Sequence, residues 1–391
     1  MIPVLPVALV SDPTAIVWQQ PAPAARERVP GPDRLLIRLA DLDTALARWR
    51  KHHPGLVHET VLGTSREGRP IRLWRIGPGQ ASPEGRPEVM LLAGIHPREQ
   101  QPTLGVVRFI DDLLAMRRAN DIDHGDLLDK IVLWVVPAFN PDGKAWEQDH
   151  PDWRKNRTPH PSGEFGVDLN RNFAIRWGGA RRTDPLWRTT TDTPAADIFE
   201  GTSPLSEPET KALATFFEQR PGLRAFLDIH SPLREILAPA YVPAGDGLRF
   251  ARLVEGMRRE QRDPYDGTNF RFETDTPAAE RTGNSGLTYH HAFYKHGIYG
   301  LNFEFSNPAK DKGVAGRYPS ARDADQEYRT QAKDAWLAFL RKVPDLPTVR
   351  SGNVRSTSPA RTTIPAAPGA TLGLLPPSLS GAADWAVLLS P

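Results

Sequence analysis

The sequence predicts an α/β protein with one large mixed, mostly parallel β-sheet that has helices on both faces. Short, nearly continuous apolar runs are typical of strands buried in such a sheet, and amphipathic helical stretches alternate with them over roughly 300 residues. The composition agrees with a globular protein, because 39% of the 391 residues are hydrophobic and 25% are charged.

The individual elements follow from the spacing of apolar residues along the chain. Four segments with apolar residues three and four positions apart are predicted to be helices: 40–51, 102–118, 207–219 and 323–340. Five short apolar runs are predicted to be strands: 71–76, 89–95, 131–136, 223–229 and 299–305. The third helix has a start motif, because Ser206 can cap it while Glu209 reaches back to the backbone N–H of the cap.

Composition divides the chain into three parts. Residues 1–34 are rich in proline and alanine, which predicts an irregular N-terminal arm, whereas residues 35–343 carry the strands and helices of one folded domain. Residues 344–391 consist largely of proline, serine, threonine, alanine and glycine, which predicts a disordered C-terminal tail.

Charge and residue usage exclude several classes of function. A net charge of +2, from 49 basic and 47 acidic residues, is too small to predict binding to nucleic acid or to an anionic membrane surface. No apolar stretch approaches the roughly 18 residues of a membrane span. The absence of cysteine excludes disulfides, thiolate metal sites and cysteine nucleophiles. No basic residue precedes the apolar N-terminus, which disfavours a secretory signal, but the compartment stays open between cytoplasm, periplasm and secretion.

Candidate functional residues lie at the ends of three predicted strands, where open α/β sheets place their ligand sites. His96 and Glu99 follow one strand, His230 follows another, and Glu304 lies in a third. A histidine and a carboxylate three residues apart can face one point, and a histidine from a neighbouring strand completes a His₂Glu set, which is how catalytic zinc is held. A single strand-end histidine is more often structural, so the prediction depends on the whole group.

Seven short motifs lie between residues 41 and 339. They are His96-Pro97-Arg98-Glu99, Asn140-Pro141-Asp142-Gly143, Trp153-Arg154-Lys155, Asp168-Leu169-Asn170-Arg171-Asn172, Ser206-Glu207-Pro208-Glu209, His230-Ser231 and Phe303-Glu304. In the same order, they resemble the motifs of the zinc carboxypeptidases of the metallocarboxypeptidase (M14) family. The shared order argues against a chance match. The resemblance implies that residues 35–343 form a zinc carboxypeptidase-like catalytic domain.

The resemblance also implies a metal centre and the groups that act beside it. His96, Glu99 and His230 are expected to hold one Zn²⁺ ion and to leave one position open. Glu304 is expected to act as general base and then as general acid. Arg154 is expected to stabilise the oxyanion of the tetrahedral intermediate. The same ligands would accept Co²⁺ or Mn²⁺ in vitro, because the order of affinities alone does not select the metal.

A binding site for the free C-terminal carboxylate of a peptide or peptide-like substrate is implied as well. Asn170 and Arg171 are expected to clamp this carboxylate, because a planar guanidinium forms two parallel hydrogen bonds with it. Arg98 resembles a further substrate-guiding arginine, and Asp168 resembles the carboxylate that orients a metal-binding histidine. Asp142, in a turn after a strand, is expected to be structural. The resemblance therefore implies a monomeric metallocarboxypeptidase that hydrolyses the C-terminal peptide bond.

The family's tyrosine on a mobile loop has no clear equivalent in this sequence. Ungapped counting places Thr282 at that position, with Tyr289 as an alternative, so the role stays open. Digestive members of the family carry a long pro-domain, whereas 34 residues precede the predicted domain here. We therefore expect an enzyme that is synthesised in its active form.

The preferred substrate side chain is only partly constrained by the sequence. The two positions at which basic-selective members carry an acid hold Tyr289 and Tyr241, which argues against a preference for C-terminal lysine or arginine. Arg281, His290 and His291 lie nearby and could favour an acidic residue, or they are exposed loop residues without such a role.

Two alternative functions stay open. A related zinc amidohydrolase of the same fold, acting on cell-wall γ-glutamyl peptides or on N-acyl amino acids, would use the same metal ligands and glutamate. A catalytically inert zinc-binding interaction module is the other alternative. Inert members typically lose a ligand or the glutamate, and this sequence has His96, Glu99, His230 and Glu304.

Overall fold

The computed structural model describes residues 35–79, 85–178, 191–239, 242–263, 267, 271–272, 286–305 and 317–348. The predicted N-terminal arm, residues 349–391 of the predicted tail, and the positions Tyr241, Arg281 and Thr282 lie outside these described residues. The chain divides into one compact unit, Met1–Val354, and a second unit, Arg355–Pro391, which lies wholly outside them.

Helices and strands alternate along the described part of the chain. The helices are α1 Leu39–His52, α2 Gln100–Arg118, α3 Leu127–Lys130, α4 Pro141–Glu147, α5 Pro208–Glu218, α6 Ala244–Arg259, α7 Thr288–His296, α8 Ala321–Glu327 and α9 Lys333–Lys342. The strands are β1 Val57–Thr64, β2 Pro70–Ile76, β3 Glu88–Ala93, β4 Val132–Val136, β5 Leu223–His230, β6 Glu235–Leu237, β7 Arg271–Phe272 and β8 Tyr299–Glu304. Every predicted strand and the first three predicted helices are present, with ends within two residues of the prediction.

The strands form one mixed sheet in the order β1-β2-β4-β3-β5-β8-β6-β7. The four central strands β4, β3, β5 and β8 are parallel to one another. Antiparallel pairing joins β2 to β1 and β4 on one side, and β6 to β8 on the other. The predicted mixed α/β sheet is therefore confirmed, and the carboxyl ends of its central strands lie along one edge, where ligand sites form.

Helices pack on both faces of the sheet. Alternate side chains of a strand point to opposite faces, so each central strand packs against helices on both sides. On one face, Leu92 of β3 and Leu213 of α5 belong to the same buried cluster. On the other face, the ring of Phe303 in β8 contacts Trp336 of α9, and Trp336 contacts Phe109 of α2. Every residue of β3 and β8 is buried, as expected for strands covered on both sides.

The last predicted helix is present, but it is not α-helical throughout. One turn of π-helix, Tyr328–Ala332, separates α8 from α9. Within it, the Thr330 carbonyl accepts a hydrogen bond from Arg262 N at 3.0 Å. The Gln331 carbonyl accepts one from Gln261 Nε2 at 2.9 Å. Because these carbonyl groups bond to residues outside the helix, the regular backbone ladder is interrupted there.

The predicted capping of the third helix by Ser206 and Glu209 is wrong. α5 begins at Pro208, and the preceding Glu207 makes no capping hydrogen bond with its side chain. Ser206 Oγ instead donates to Glu207 Oε1 at 2.8 Å. Glu209 Oε1 accepts from Arg66 N at 3.1 Å rather than reaching back. Proline at the first helical position has no N–H to satisfy and a φ suited to the helix, so α5 starts there without this cap.

The folded body continues past the predicted domain end at residue 343. Leu346 is buried, and its carbonyl oxygen accepts a hydrogen bond from Arg224 NH1 at 2.8 Å. Within the described residues, no helix combines the length and the apolar character that crossing a membrane requires.

Candidate active site

Two histidines and a glutamate meet at the carboxyl edge of the central strands. His96 lies just after β3, Glu99 directly precedes α2, and His230 is the last residue of β5. β3 and β5 are parallel neighbours whose register pairs Ala93 with Ile229. The ends of the two strands therefore bring these histidines to the same edge of the sheet.

Each carboxylate oxygen of Glu99 faces the ring nitrogen Nδ1 of one histidine. Oε1 lies 2.8 Å from His96 Nδ1, and Oε2 lies 3.0 Å from His230 Nδ1. One ligand atom from each of the three buried residues lies within 4.8 Å of the other two. Ser231 N also donates to Glu99 Oε2, at 3.3 Å. The structure thus brings the three predicted metal ligands together.

The charges of these groups shift one another's pKa. Burial by itself would raise the pKa of Glu99, but the imidazoles of His96 and His230 outweigh it and hold the pKa well below its usual value. Burial would lower the pKa of His230, but Asp228 and Glu99 outweigh it and raise the pKa well above its usual value. The surrounding carboxylates therefore favour positive charge at this position, which a divalent cation can supply.

Asp168 links the candidate metal site to Arg154. Asp168 Oδ1 lies 3.0 Å from His96 Nε2, while Oδ2 accepts a hydrogen bond from Arg154 Nε at 2.9 Å and lies 2.9 Å from NH2. Burial would raise the pKa of Asp168, but Arg154 and His96 outweigh it and hold the pKa well below its usual value. The third guanidinium nitrogen, NH1, lies 3.7 Å from Glu99 Oε1. Asp168 thus orients both the ring and the guanidinium.

Asp228 occupies the corresponding position behind His230, and the sequence analysis missed it. Asp228 Oδ2 lies 3.1 Å from His230 Nε2 and accepts a hydrogen bond from the Thr288 hydroxyl. Two positions before His230 on β5, Asp228 points to the same face of the sheet. The sequence signal for Asp228 is an acidic residue in an otherwise apolar strand, two positions before His230.

Glu304 lies beside His230, because β5 and β8 are parallel neighbours whose register pairs these two residues. Glu304 is buried, and its Oε2 has no hydrogen-bond partner among the described residues. Burial raises the pKa of Glu304 to about 7, against the attraction of His230. Glu304 is thus a buried carboxylate beside the predicted metal ligands, with one oxygen unpaired among the described residues, as a candidate general base requires.

The residues predicted to clamp a substrate carboxylate lie on a single 3₁₀ turn, Leu169–Arg171. Asn170 Oδ1 accepts a hydrogen bond from Thr288 N at 3.0 Å, and Asn170 Nδ2 lies 3.1 Å from His230 Nε2. Arg171 NH1 donates to the Asn170 carbonyl at 2.7 Å. Asn170 thus adjoins His230, one of the predicted metal ligands, and its side-chain amide is already in contact with other residues of the protein.

Arg98 connects the metal loop, which we define as residues 96–99, to the segment that follows α4. Arg98 NH1 donates to Asp197 Oδ2 at 2.8 Å and lies 3.6 Å from Asp152 Oδ1. Arg98 N donates to the Trp153 carbonyl at 3.1 Å. The side chain predicted to guide substrate is therefore paired with two aspartates.

Asp142 anchors the turn between β1 and β2. It is fully buried; its Oδ1 accepts hydrogen bonds from Ser65 Oγ at 2.6 Å and Arg69 NH1 at 2.8 Å, and its Oδ2 accepts one from Glu67 N at 2.7 Å. These contacts give Asp142 the structural role expected from the sequence.

Two histidines could, from the sequence, favour an acidic substrate or lie exposed on a loop without such a role. His290 and His291 lie in α7 and are buried. Burial lowers the pKa of each to about 3, so both imidazoles are neutral near pH 7. Tyr289 precedes them in the same helix and belongs to the buried core, so it does not lie on a surface loop.

The arrangement fits a zinc ion. Two imidazole nitrogens and one carboxylate form the donor set typical of catalytic zinc. Because Asp168 and Asp228 lie at the Nε2 atoms of the two rings, Nε2 can carry the proton in each ring. The Nδ1 atoms are then free to act as ligands on the side of Glu99.

A family model described as zinc carboxypeptidase matches residues 42–331. The chain therefore belongs to the zinc carboxypeptidase family, and the resemblance inferred from the seven motifs is confirmed. The match includes all four of the residues that form the candidate metal site and the carboxylate beside it: His96, Glu99, His230 and Glu304.

Three similar proteins are carboxypeptidases by name. Carboxypeptidase A2 of Mus musculus is 31% identical over 300 residues, which cover 73% of this chain and 64% of that protein. Carboxypeptidase O of Homo sapiens is 34% identical over 273 residues, or 67% of each protein. Mast cell carboxypeptidase A of Rattus norvegicus is 28% identical over 274 residues, covering 68% of this chain and 61% of that protein. The chain thus spans 61% to 67% of the length of these relatives.

Solved structures share the fold. Thrombin activatable fibrinolysis inhibitor matches with a TM-score of 0.68 and 21% identity, covering 83% of this chain and 77% of that chain. Carboxypeptidase A from Helicoverpa armigera matches with a TM-score of 0.64 and 22% identity, covering 80% of this chain and 74% of that chain. At these identities the likeness concerns the fold alone.

Proposed function

We propose that this protein is a zinc-dependent metallocarboxypeptidase that hydrolyses the C-terminal peptide bond of peptides. The observation that carries the proposal is the convergence of His96, Glu99 and His230. Glu304, paired with His230 in the next strand, adds a carboxylate beside them. Membership of the zinc carboxypeptidase family supports the same reaction class.

In this proposal His96, Glu99 and His230 hold one zinc ion. Bound zinc lowers the pKa of its water to roughly 7 and polarises a carbonyl oxygen. Asp168 and Asp228 hold the two imidazole rings in the orientation that directs Nδ1 toward the ion.

Glu304 moves the proton in the proposed reaction. It takes a proton from the attacking water and passes it to the departing amine, acting first as general base and then as general acid. Its Oε2 lacks a partner among the described residues and can therefore accept this proton. Proton transfer by a positioned side chain contributes about 10²–10⁴-fold to the rate.

Arg154 stabilises the negative charge that develops on the substrate oxygen. Asp168 holds its Nε and NH2, which leaves NH1 as the nitrogen nearest to Glu99, at 3.7 Å. A donor that is fixed before the reaction needs no reorganisation when charge appears, and losing one such donor costs about 10²–10³-fold in turnover.

Asn170 and Arg171 bind the free C-terminal carboxylate of the substrate, and Arg98 guides the substrate toward them. A guanidinium fits a carboxylate through two parallel hydrogen bonds. The amide nitrogen of Asn170 carries two hydrogens and lies 3.4 Å from Asp228 Oδ2, so one hydrogen can face that carboxylate while the other bonds to the substrate. This clamp explains removal of a terminal residue rather than cleavage within a chain.

The test is release of the last residue from N-blocked dipeptides with free or amidated C-termini, with and without a chelator. We expect chelator-sensitive release from the free peptides and little from the amidated ones. Equal rates on both would remove the clamp from the proposal. No release with one equivalent of zinc present would favour the amidohydrolase alternative, which γ-glutamyl peptides and N-acyl amino acids then test. Zinc binding without hydrolysis of any of these would favour the inert module.

A further inference from the structure

A buried ion pair lies beneath the metal loop. Lys144 and Glu147, both on α4, are 3.1 Å apart between Nζ and Oε2, and their side chains are 4% and 0% exposed. Neither residue takes part in the proposed reaction. Removing two charges from water is costly, and apolar residues of similar volume often stabilise a fold as well or better. Stability alone is therefore a poor explanation for this pair.

The pair reaches the metal loop through a single carbonyl group. Lys144 Nζ donates to the Pro97 carbonyl at 3.1 Å, and Gln100 Nε2 donates to the same oxygen at 3.1 Å. Pro97 lies between the two ligands His96 and Glu99 in the chain. Two buried donors therefore fix the backbone between these ligands.

Gln100 and Tyr318 complete the network around the pair. Lys144 Nζ donates to Gln100 Oε1 at 2.6 Å. Glu147 Oε1 accepts from Gln100 Nε2 at 3.1 Å and from the Tyr318 hydroxyl at 2.6 Å. The Tyr318 oxygen in turn accepts from Asp152 N at 2.6 Å, in the segment that leads to the oxyanion arginine. The network thus joins the two backbone segments that carry the site.

Close packing leaves the metal loop little room to move relative to α4. A Cβ atom at Gly143 would lie 2.6 Å from Pro97 Cγ and 2.5 Å from the Lys155 carbonyl oxygen, both shorter than any normal contact. A change in the position of α4 is therefore transmitted to Pro97.

We propose that Lys144 and Glu147 are positioning residues that hold the Pro97 carbonyl so that His96 and Glu99 are preset for the metal ion. The inference rests on the proposed zinc site. Groups that orient metal ligands typically change metal affinity by 10–100-fold when they are replaced. The network therefore raises zinc affinity, because the ligands need no rearrangement when the ion binds.

The test is the zinc dissociation constant of the full chain, measured by competition with a chromogenic chelator. Lys144→Met combined with Glu147→Gln removes both charges and the donor to Pro97, while the new amide still accepts from Tyr318. The matched control, Arg108→Met with Asp325→Asn, removes an ion pair between α2 and α8 with a 2.7 Å separation. We expect about tenfold weaker zinc binding in the first double variant and no change in the control.

The melting temperature of the metal-free protein separates this role from a purely structural one. We expect the first double variant to lose no more stability than the control. Equal zinc dissociation constants in both, with one zinc ion bound by the wild type, would overturn the positioning role and leave the zinc site intact. A wild type that binds no zinc would overturn both this inference and the proposed function.

A second pair of variants decides the question if the double variant does not fold. Tyr318→Phe and Tyr328→Phe each remove one buried hydroxyl that donates to a carboxylate, to Glu147 at 2.6 Å and to Asp112 at 2.7 Å. Zinc binding should weaken in Tyr318→Phe alone. Equal effects in the two variants would overturn the proposal.

Discussion

Asp228 Oδ2 lies 3.1 Å from Nε2 of His230, and the same ring presents Nδ1 to Glu99 at 3.0 Å. His96 has the same arrangement, with Asp168 3.0 Å from its Nε2. Each imidazole of the site is thus held between two carboxylates. A carboxylate behind the ring keeps the proton on Nε2 and raises the basicity of Nδ1, which strengthens the ring as a metal ligand.

Asp228→Asn should therefore weaken zinc binding by about tenfold or more. Asparagine has nearly the same size but no charge, so it holds the Nε2–H of His230 less strongly. Chelator competition measures the dissociation constant directly. As a control, Asp112→Asn removes a carboxylate that accepts from Tyr328 and should leave zinc affinity unchanged. Equal affinities in the two variants would mean that Asp228 does not support His230.

Glu304→Gln should lower the turnover number by about 10²–10⁴-fold, because glutamine cannot take a proton from water. The bound zinc content should stay at the wild-type level, since Glu304 is not among the three converging ligands. Glu255→Gln, which removes a surface ion pair with Arg259 on α6, is the control and should keep wild-type turnover. Unchanged turnover in Glu304→Gln would exclude this residue as the base.

The central strands could be predicted from the sequence because they are buried on both faces and therefore read as apolar runs. β1 could not, since only Val57 of the strand Val57–Thr64 is buried, so the strand does not read as an apolar run, and its pairing with β2 shifts register at Gly63. Gly63 lies where a Cβ would come within 2.5 Å of Ala212 Cβ on α5, a close approach that no local pattern indicates. Sequence spacing predicts burial well and such tertiary approaches poorly.

The convergence of the three candidate metal ligands could be predicted because polar residues at the ends of apolar strands are conspicuous. Asp228 was missed because it lies within such a strand, and its role follows only from its position two residues before His230. The neutrality of His290 and His291 could not be predicted either, since it results from burial by other segments of the chain. The sequence thus predicts the candidate ligands better than it predicts the surrounding groups and the burial that set the charge and orientation of the site residues.

Asp111 should make the folded protein less stable as the pH rises. Trp49 Nε1 donates to Asp111 Oδ1 at 2.6 Å, and burial raises the pKa of Asp111 from its ordinary 3.8 to about 7. In the unfolded chain the pKa returns to the ordinary value. Between about pH 4 and pH 7 the folded state therefore binds more protons than the unfolded state, so this carboxyl lowers the free energy of unfolding as the pH increases.

Urea unfolding between pH 4 and pH 8 tests this for Asp111→Asn, which keeps an acceptor for Trp49 but cannot ionise. The variant should lose less stability than the wild type across this range. Burial also raises the pKa of Glu209 to about 7. Because Glu209 contributes equally to the pH dependence of both proteins, the difference between their stability curves comes from Asp111. Parallel curves for the two proteins would contradict a raised pKa.

Gly143→Ala should destabilise the protein by about 1–3 kcal/mol, the usual effect of overpacking a filled site. The added Cβ would meet Pro97 Cγ at 2.6 Å and the Lys155 carbonyl oxygen at 2.5 Å. Because Pro97 lies in the metal loop, zinc binding should weaken as well. Urea unfolding of the metal-free protein gives the first quantity, and chelator competition gives the second.

Gly256→Ala is the matched control, because an added Cβ at Gly256 in α6 meets no atom within 4 Å. Alanine in a helix interior is about 0.5–1 kcal/mol more favourable than glycine, so this variant should gain stability and keep its zinc affinity. The same substitution is thus expected to have opposite effects at the two sites. If Gly143→Ala were as stable as Gly256→Ala and bound zinc equally well, α4 and the metal loop could separate without cost, and the packing would not hold the ligands in place.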